Sequence, residues 1–248
     1  MRADYREIVG TLRDEIISGQ YAPGSMLPPG PELAERFGGV SVSTINRVLN
    51  DLRSEGLVRT RSGHGTTVNP VPVIHRDAAG RQRAAFRQVG LGAFDAEIRA
   101  AGLEPRSDAE VGEAAPPADV SGMLGIPEGT AAVYRRRRMY AGSETVQLAT
   151  SWIPAELAHG TPIMTADTGP GGLYSRLADT GHGPARFTET VRVRVPLDDE
   201  AAALGIDPDH RVYVITRAAY DSDGRAVEVC THVMPTHQWE LTYDWAAE

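Results

Sequence analysis

Apolar side chains recur along the first seventy residues at helical spacing. Ile8, Leu12 and Ile16 form one stripe. Asp4 and Glu7, three residues apart, supply a capping box before it, and Gly19 suits its C-terminal end. A Pro/Gly-rich loop over residues 21–30 leads to a short helix that Pro31 can start and that carries Leu33, Ala34 and Phe37. Ile45, Val48, Leu49 and Leu52 then sit at i, i+3, i+4 and i+7, with Ser41 or Ser43 available as N-cap. Directly after this third helix, residues 56–68 read as a β-hairpin with glycines flanking its tip. Three helices followed by a hairpin predict a winged helix-turn-helix.

The exposed face of the third helix shows Thr44, Asn46, Arg47 and Asn50. Side chains of this kind suit a helix whose N-terminal end enters the DNA major groove, asparagine pairing with adenine and arginine with guanine. The same residues would also serve as an ordinary solvated face.

Beyond residue 69 the pattern changes. Asn69-Pro70-Val71-Pro72-Val73 predicts a stiff, extended linker, and a helix is expected over roughly residues 81–101 from Phe86, Leu91, Phe94 and Ile98. Strands follow over residues 131–140 and 145–152, joined by Ala141-Gly142-Ser143-Glu144, and over 212–217 and 227–233 around Asp221-Ser222-Asp223-Gly224. Val191-Arg192-Val193-Arg194-Val195 alternates with period two, which predicts valines on a core and arginines outward. Short helices are expected over 118–124, 172–179 and 199–204. Strands joined mainly by hairpins, with helices between them, indicate an α+β domain with an antiparallel sheet.

Charge divides unevenly along the 248 residues. Residues 1–70 hold eight arginines and eight carboxylates, so the net charge of −8 belongs wholly to the remainder. The N-terminal part thus remains able to present Arg47, Arg59, Arg61 and His64 to an anionic duplex. The single cysteine, Cys230, leaves no internal disulfide and no cysteine zinc site. The seven histidines are scattered, no nucleophile and base pair stands out, and neither a metal nor a cofactor is called for. With no long apolar run and no visible secretory signal, a cytoplasmic protein that makes no contact with membranes is expected.

Tyr5 to Ile8, Leu12-Arg13, Ser18-Gly19, Tyr21-Ala22-Pro23-Gly24, Leu27-Pro28, Leu33-Ala34, Phe37-Gly38, Glu55-Gly56-Leu57-Val58 and Gly63-His64-Gly65-Thr66 together resemble the N-terminal domain of the GntR family of bacterial transcription regulators. The resemblance implies a homodimer on a near-palindromic operator in double-stranded DNA, with recognition helices in the major groove and the wing tips, here His64 and Gly65, near the minor groove. Its implied DNA-binding residues are Tyr5, Arg13, Ser41, Ser43, Thr44, Asn46, Arg47, Arg61, His64 and Gly65. Three departures stand out: Pro29-Gly30-Pro31 replaces a Ser-Glu-Arg run, Gly39 is additional, and Val42 stands where many members carry arginine.

The second half, over about residues 75–243, is similar to the UTRA domain of the HutC subfamily. The similarity rests on Arg137 through Ser151-Trp152-Ile153-Pro154, on Gly172-Leu173-Tyr174, and on Gly224 through Val227-Glu228. It implies a chorismate-lyase-like fold, dimerisation through this domain, and a small-molecule effector site with Arg135, Arg137, Tyr174 and Glu228 as candidates. Met139 and Gly171-Gly172 depart from the pattern of relatives that bind sugar phosphates. The expected organisation is a winged helix-turn-helix over 1–69, a linker over 70–80 and a UTRA domain over 81–248. The expected function is that of a ligand-responsive transcriptional regulator, with a chorismate-lyase-like enzyme as the alternative.

Overall fold

The computed structural model describes residues 3–61, 65–78, 80 and 92–245. They divide into two compact units, Met1–Val73 and Ile74–Glu248.

In the first unit, α1 (Tyr5–Ile17), α2 (Gly30–Arg36) and α3 (Val42–Ser54) precede the wing strands β1 (Val58–Arg61) and β2 (Gly65–Val68). The expected capping box is formed: the Asp4 carboxylate accepts from the Glu7 amide at 2.8 Å, and the Asp4 amide donates back to the Glu7 carboxylate. Ile8, Leu12, Leu33, Ile45, Val48, Leu52 and Val58 are fully buried in one core. Each such side chain stabilises the fold by roughly 1.5–3 kcal/mol through burial. The wing gains a third partner: the Leu27 amide donates to the Thr66 carbonyl, and Met26 bridges to Thr67.

The second unit is built on a six-stranded antiparallel sheet. Its strands are β4 (Pro105–Ala114), β5 (Ala132–Ala141), β6 (Glu144–Pro154), β7 (Arg186–Arg194), β8 (Val212–Tyr220) and β9 (Ala226–Pro235), in the order β4-β5-β6-β9-β8-β7. On one face, α5 (Ala118–Leu124) packs Val120 and Leu124 against Trp152, Ala218 and Val229, and α8 (Asp198–Leu204) sets Leu204 against Val212 and Val233. On the other face, α6 (Ala155–Ala158), a 3-10 turn (Pro162–Met164) and α7 (Gly172–Asp179) bring Leu157, Ile163 and Leu177 onto Val133, Ile153 and Ala219. A separate parallel pair joins β3 (Ile74–Asp77) to β10 (Trp239–Thr242), and α4 (Ala93–Ala100) stacks Phe94 near Trp239.

Three expectations need revision. Residues 70–80 are not all linker, because Ile74–Asp77 forms β3 and the second unit begins there. Its partner lies at the far end of the chain, so no local hairpin signal marks it. Residues 93–100 of the expected helix over 81–101 are helical; Phe86 and Leu91 lie outside the described residues. The valines in and just after β7 are not core: Val191 and Val193 are 38% and 56% exposed, and Val195 and Leu197 beyond the strand are 49% and 58% exposed. Period two gives these valines a shared face, but β7 is an edge strand and no described element covers that face at their level.

Candidate functional site

Within the first unit, the Ser41 hydroxyl accepts from the Thr44 amide at 3.1 Å and contacts the Ser43 and Thr44 hydroxyls at 2.8 Å each. It thereby fixes the N-terminal turn of α3, whose free amides and positive dipole end favour a phosphate. Asn46 and Arg47 are exposed in the next turn. The Arg47 guanidinium lies over the Tyr5 ring, 4.5 Å from its centroid, and the Tyr5 hydroxyl donates to Asp51. Tyr5 therefore acts as a support for Arg47 as much as a surface group. Gly65 adopts φ +79°, a left-handed conformation that glycine takes without a Cβ clash, and Met26 packs beside it.

Arg13 does not join this group. Its guanidinium is engaged bidentately by Glu55, with Nε to Oε2 at 2.8 Å, and Glu55 caps the C-terminal end of α3. Thr44 and Glu55 are separated along the helix by about 16 Å at 1.5 Å per residue. The carboxylate at this spot already offsets the arginine charge. His64 lies outside the described residues, and for Arg61 only the backbone pairing with Gly65 is described.

The second unit holds a cavity of about 560 Å³, a volume suited to a small molecule. Its floor comes from one face of the central strands, where alternation points Arg135, Arg137 and Met139 of β5 inward and leaves Arg136 and Arg138 exposed. Cross-strand register brings Ser151 beside Arg135, Cys230 beside Ser151, and Arg217 beside Cys230. Glu228, also on the floor, is almost wholly buried. It accepts from the Ser151 hydroxyl at 2.6 Å and from the Tyr174 hydroxyl at 2.5 Å, and the Arg217 guanidinium stands 3.8 Å away.

The arginines have different tasks. Arg135 donates to the carbonyls of Ile163, Thr165 and Ala166, pinning the segment that walls the cavity. Burial, and secondarily the charge of Arg137, lower its pKa to about 10. Three of the five N–H donors of Arg135 are thereby committed to backbone, although its side chain also lines the cavity. Arg137 donates to the Ser151 hydroxyl at 2.9 Å and reaches the Cys230 sulfur at 3.6 Å, while its buried Nε has no hydrogen-bond partner among the described residues. Arg217 is similar, with a buried Nε lacking an acceptor among the described residues. Desolvation works against its charge, but Tyr174 and Glu228 outweigh it and raise the pKa. Burial pushes the Tyr174 hydroxyl well up, and likewise the Cys230 thiol, so both stay protonated at neutral pH.

Arg137, Tyr174 and Glu228, three of the candidate effector residues, line the same cavity, with Glu228 acting as internal counter-charge. Arg217, Ser151, Gln147 and His232 join them without having been anticipated. Their signal was available in the alternation of β6, β8 and β9 once the strand order is known. A second cationic donor beside Arg137 makes the cavity floor suited to an anion.

A winged helix-turn-helix followed by an α+β domain with a polar small-molecule cavity defines a ligand-sensing transcriptional regulator. Residues 4–68 match bacterial regulatory proteins of the gntR family, and residues 100–239 match the UTRA domain. An uncharacterized HTH-type transcriptional regulator of Streptomyces coelicolor is 32% identical over 97% of this chain and 92% of its own length. The HTH-type transcriptional repressor PhnF of Mycolicibacterium smegmatis is 25% identical over 90% of this chain and 84% of its own. A crystal structure of a GntR-family transcriptional regulator superposes with a TM-score of 0.59 at 28% identity, covering 98% of each chain. The PhnF crystal structure gives 0.62 at 24% identity, over 97% of this chain and all of that one.

The chain belongs to the GntR family of bacterial regulatory proteins and carries a UTRA effector-binding domain. It is a DNA-binding transcriptional regulator and not an enzyme, which sets the chorismate-lyase alternative aside. No described helix is long and apolar enough to cross a membrane.

Proposed function

We propose that this protein is a homodimeric repressor that leaves a near-palindromic operator when an anionic metabolite enters the UTRA cavity. The observation that carries the reading is the pair of arginines, Arg137 and Arg217, which line a cavity of ligand size and whose buried Nε atoms lack acceptors among the described residues. A buried guanidinium N–H without a partner costs free energy that an anion would recover. Base readout falls to Asn46 and Arg47 on α3. Ser41, Ser43, Thr44, Arg61, His64 and Gly65 supply phosphate and minor-groove contacts, and Tyr5 positions Arg47. PhnF, a relative over most of the chain, is named a repressor.

The dimer reading draws on β7. Among the described residues it leaves one edge of the sheet unpaired; Val191 and Val193 on it, with Val195 and Leu197 just beyond, are exposed apolar side chains, and an edge of this kind invites pairing with a second copy. Dimerisation doubles the base contacts and matches a two-fold operator. An effector then lowers operator affinity only by its preference for the arrangement that does not bind DNA, typically 1–3 kcal/mol.

The test begins with capture of fragmented genomic DNA by the full chain, followed by sequencing of the enriched fragments. Release of the enriched fragment is then measured against a panel of anionic metabolites for the wild type and for Arg137→Ala. The variant is expected to hold the fragment and to lose its response. Release of both proteins at the same metabolite concentration would overturn the assignment of the cavity.

A further inference from the structure

The cavity has a second end whose chemistry differs from the arginine end. Along β6, Ser151 and Gln147 are four residues apart on the same face, about 13 Å at the rise of a strand. Gln147 is 1% exposed and lines the cavity with Met139 and His232. Its side-chain nitrogen stands 2.9 Å from the Met139 sulfur and 3.2 Å from His232 Nδ1. A thioether sulfur only accepts, so the nitrogen rather than the oxygen of the amide belongs at that position. His232 Nδ1 then accepts as well, and the ring proton sits on Nε2.

This assignment leaves Gln147 Oε1 buried without a hydrogen-bond donor among the described residues. A buried amide oxygen with no donor is uncommon in folded proteins and asks for an occupant. Among the described residues, Nε of Arg137 and of Arg217 lack acceptors at one end, and Gln147 Oε1 lacks a donor at the other. The two deficits are opposite in kind and lie in one cavity.

Resting on the reading of this cavity as the effector site, we propose that the effector is bifunctional. An anionic group meets Arg137 and Arg217, and an N–H or O–H donor further along the same molecule is received by Gln147 Oε1. Ala109, in register with Arg137, and Met139, beside Gln147, also line the cavity and add no charge between the two ends. Gln147 becomes the residue that sets specificity, because a carboxylate or ether oxygen placed against Oε1 would set two acceptors against each other. A ligand with an anion at both ends is disfavoured for that reason.

The experiment titrates the full chain calorimetrically with straight-chain acids from butanoate to octanoate, each compared at equal length with its ω-hydroxy acid, its ω-amide acid and its α,ω-dicarboxylate. At the preferred length the hydroxy and amide acids are expected to bind about tenfold more tightly than the plain acid, the size of one net hydrogen bond to a buried group. The dicarboxylate is expected to bind no better than the plain acid. Gln147→Met, close in volume and without the oxygen, should reduce the preference to within about twofold while keeping the affinity for the plain acid. Gln147→Leu serves as the second variant if the methionine protein loses its thermal midpoint.

Equal binding of plain and donor-bearing acids by the wild type would overturn the proposal while leaving the cavity an anion site. Retention of the tenfold preference in a folded Gln147 variant would overturn it too. Failure of every acid to bind at millimolar concentration, with Arg137→Ala indistinguishable from wild type, would instead refute the underlying effector-site reading.

Discussion

Glu228 offers the sharpest test of how the cavity is held together. Replacing it with glutamine keeps its volume but removes the negative charge opposite Arg217 and one of the two acceptor oxygens used by Ser151 and Tyr174. At the 3.8 Å separation, an effective dielectric of 20 puts the Coulomb attraction to Arg217 at about 4 kcal/mol. Losing a hydrogen bond to a charged group adds about 1.5–3 kcal/mol, and relief of the carboxylate's own desolvation offsets part of the total. Removing one partner of a buried pair leaves an unopposed charge and costs roughly 3–5 kcal/mol, a large fraction of a typical domain stability of 5–15 kcal/mol. Urea denaturation followed by tryptophan emission reads this directly, because Trp152, Trp239 and Trp245 all belong to the second unit. Inorganic phosphate should restore more stability to Glu228→Gln than to the wild type, since two arginines without a counter-charge bind an anion that stabilises the folded state by mass action. A loss below about 1 kcal/mol, within the range of an exposed ion pair, would show that Glu228 is not the counter-charge of the cavity.

The DNA face makes its own predictions. Asn46→Ala and Arg47→Ala should each relax preference at particular base pairs by about 1–3 kcal/mol, read by selection from a randomised operator library; equal loss on operator and random DNA would refute base readout. Arg61→Ala should flatten the salt dependence of binding by about one unit, whereas Arg13→Ala, whose charge is already matched by Glu55, should leave the slope unchanged in the same titration. Val193→Asp should convert the full chain to a monomer in sedimentation at micromolar concentration while keeping the far-ultraviolet circular dichroism of the folded chain, and persistence of the dimer would remove β7 from the interface.

The N-terminal unit was largely legible in the sequence because its signals are local. A capping box, a stripe of apolar residues and a glycine at a positive φ all act within a few residues of one another, and the structure repeats them at Asp4, Ile8, Leu12 and Gly19. In the second unit the alternation of β5 showed that Arg135 and Arg137 share a face. It could not show that Arg135 commits three of its donors to the carbonyls of residues 163, 165 and 166, since that loop lies about thirty residues away in the chain. β4 went unrecognised because its residues, from Pro105 to Ala114, are mostly small or charged and nowhere form an apolar stripe.

Two strands show why period alone misleads. In β7 the valines face outward while Glu189 on the same side is nearly buried, and in β3 the fully buried side chain is Arg76. Arg76 and Glu189 pair across a separation of 113 residues, so neither alone reveals that the other makes its burial tolerable. Period two tells which side chains point the same way; the layers of the fold decide whether that way is inside. Places where apolar residues end up outside and charges inside carry a cost that packing alone does not explain, and function is the usual reason such places persist. Here they coincide with the uncovered edge strand β7 and with a row of charged side chains in which Arg76 pairs with Glu189, Glu189 is in register with Arg217, and Arg217 stands beside Glu228. That row runs from the cavity of the second unit to the strand that directly follows the proline-rich linker.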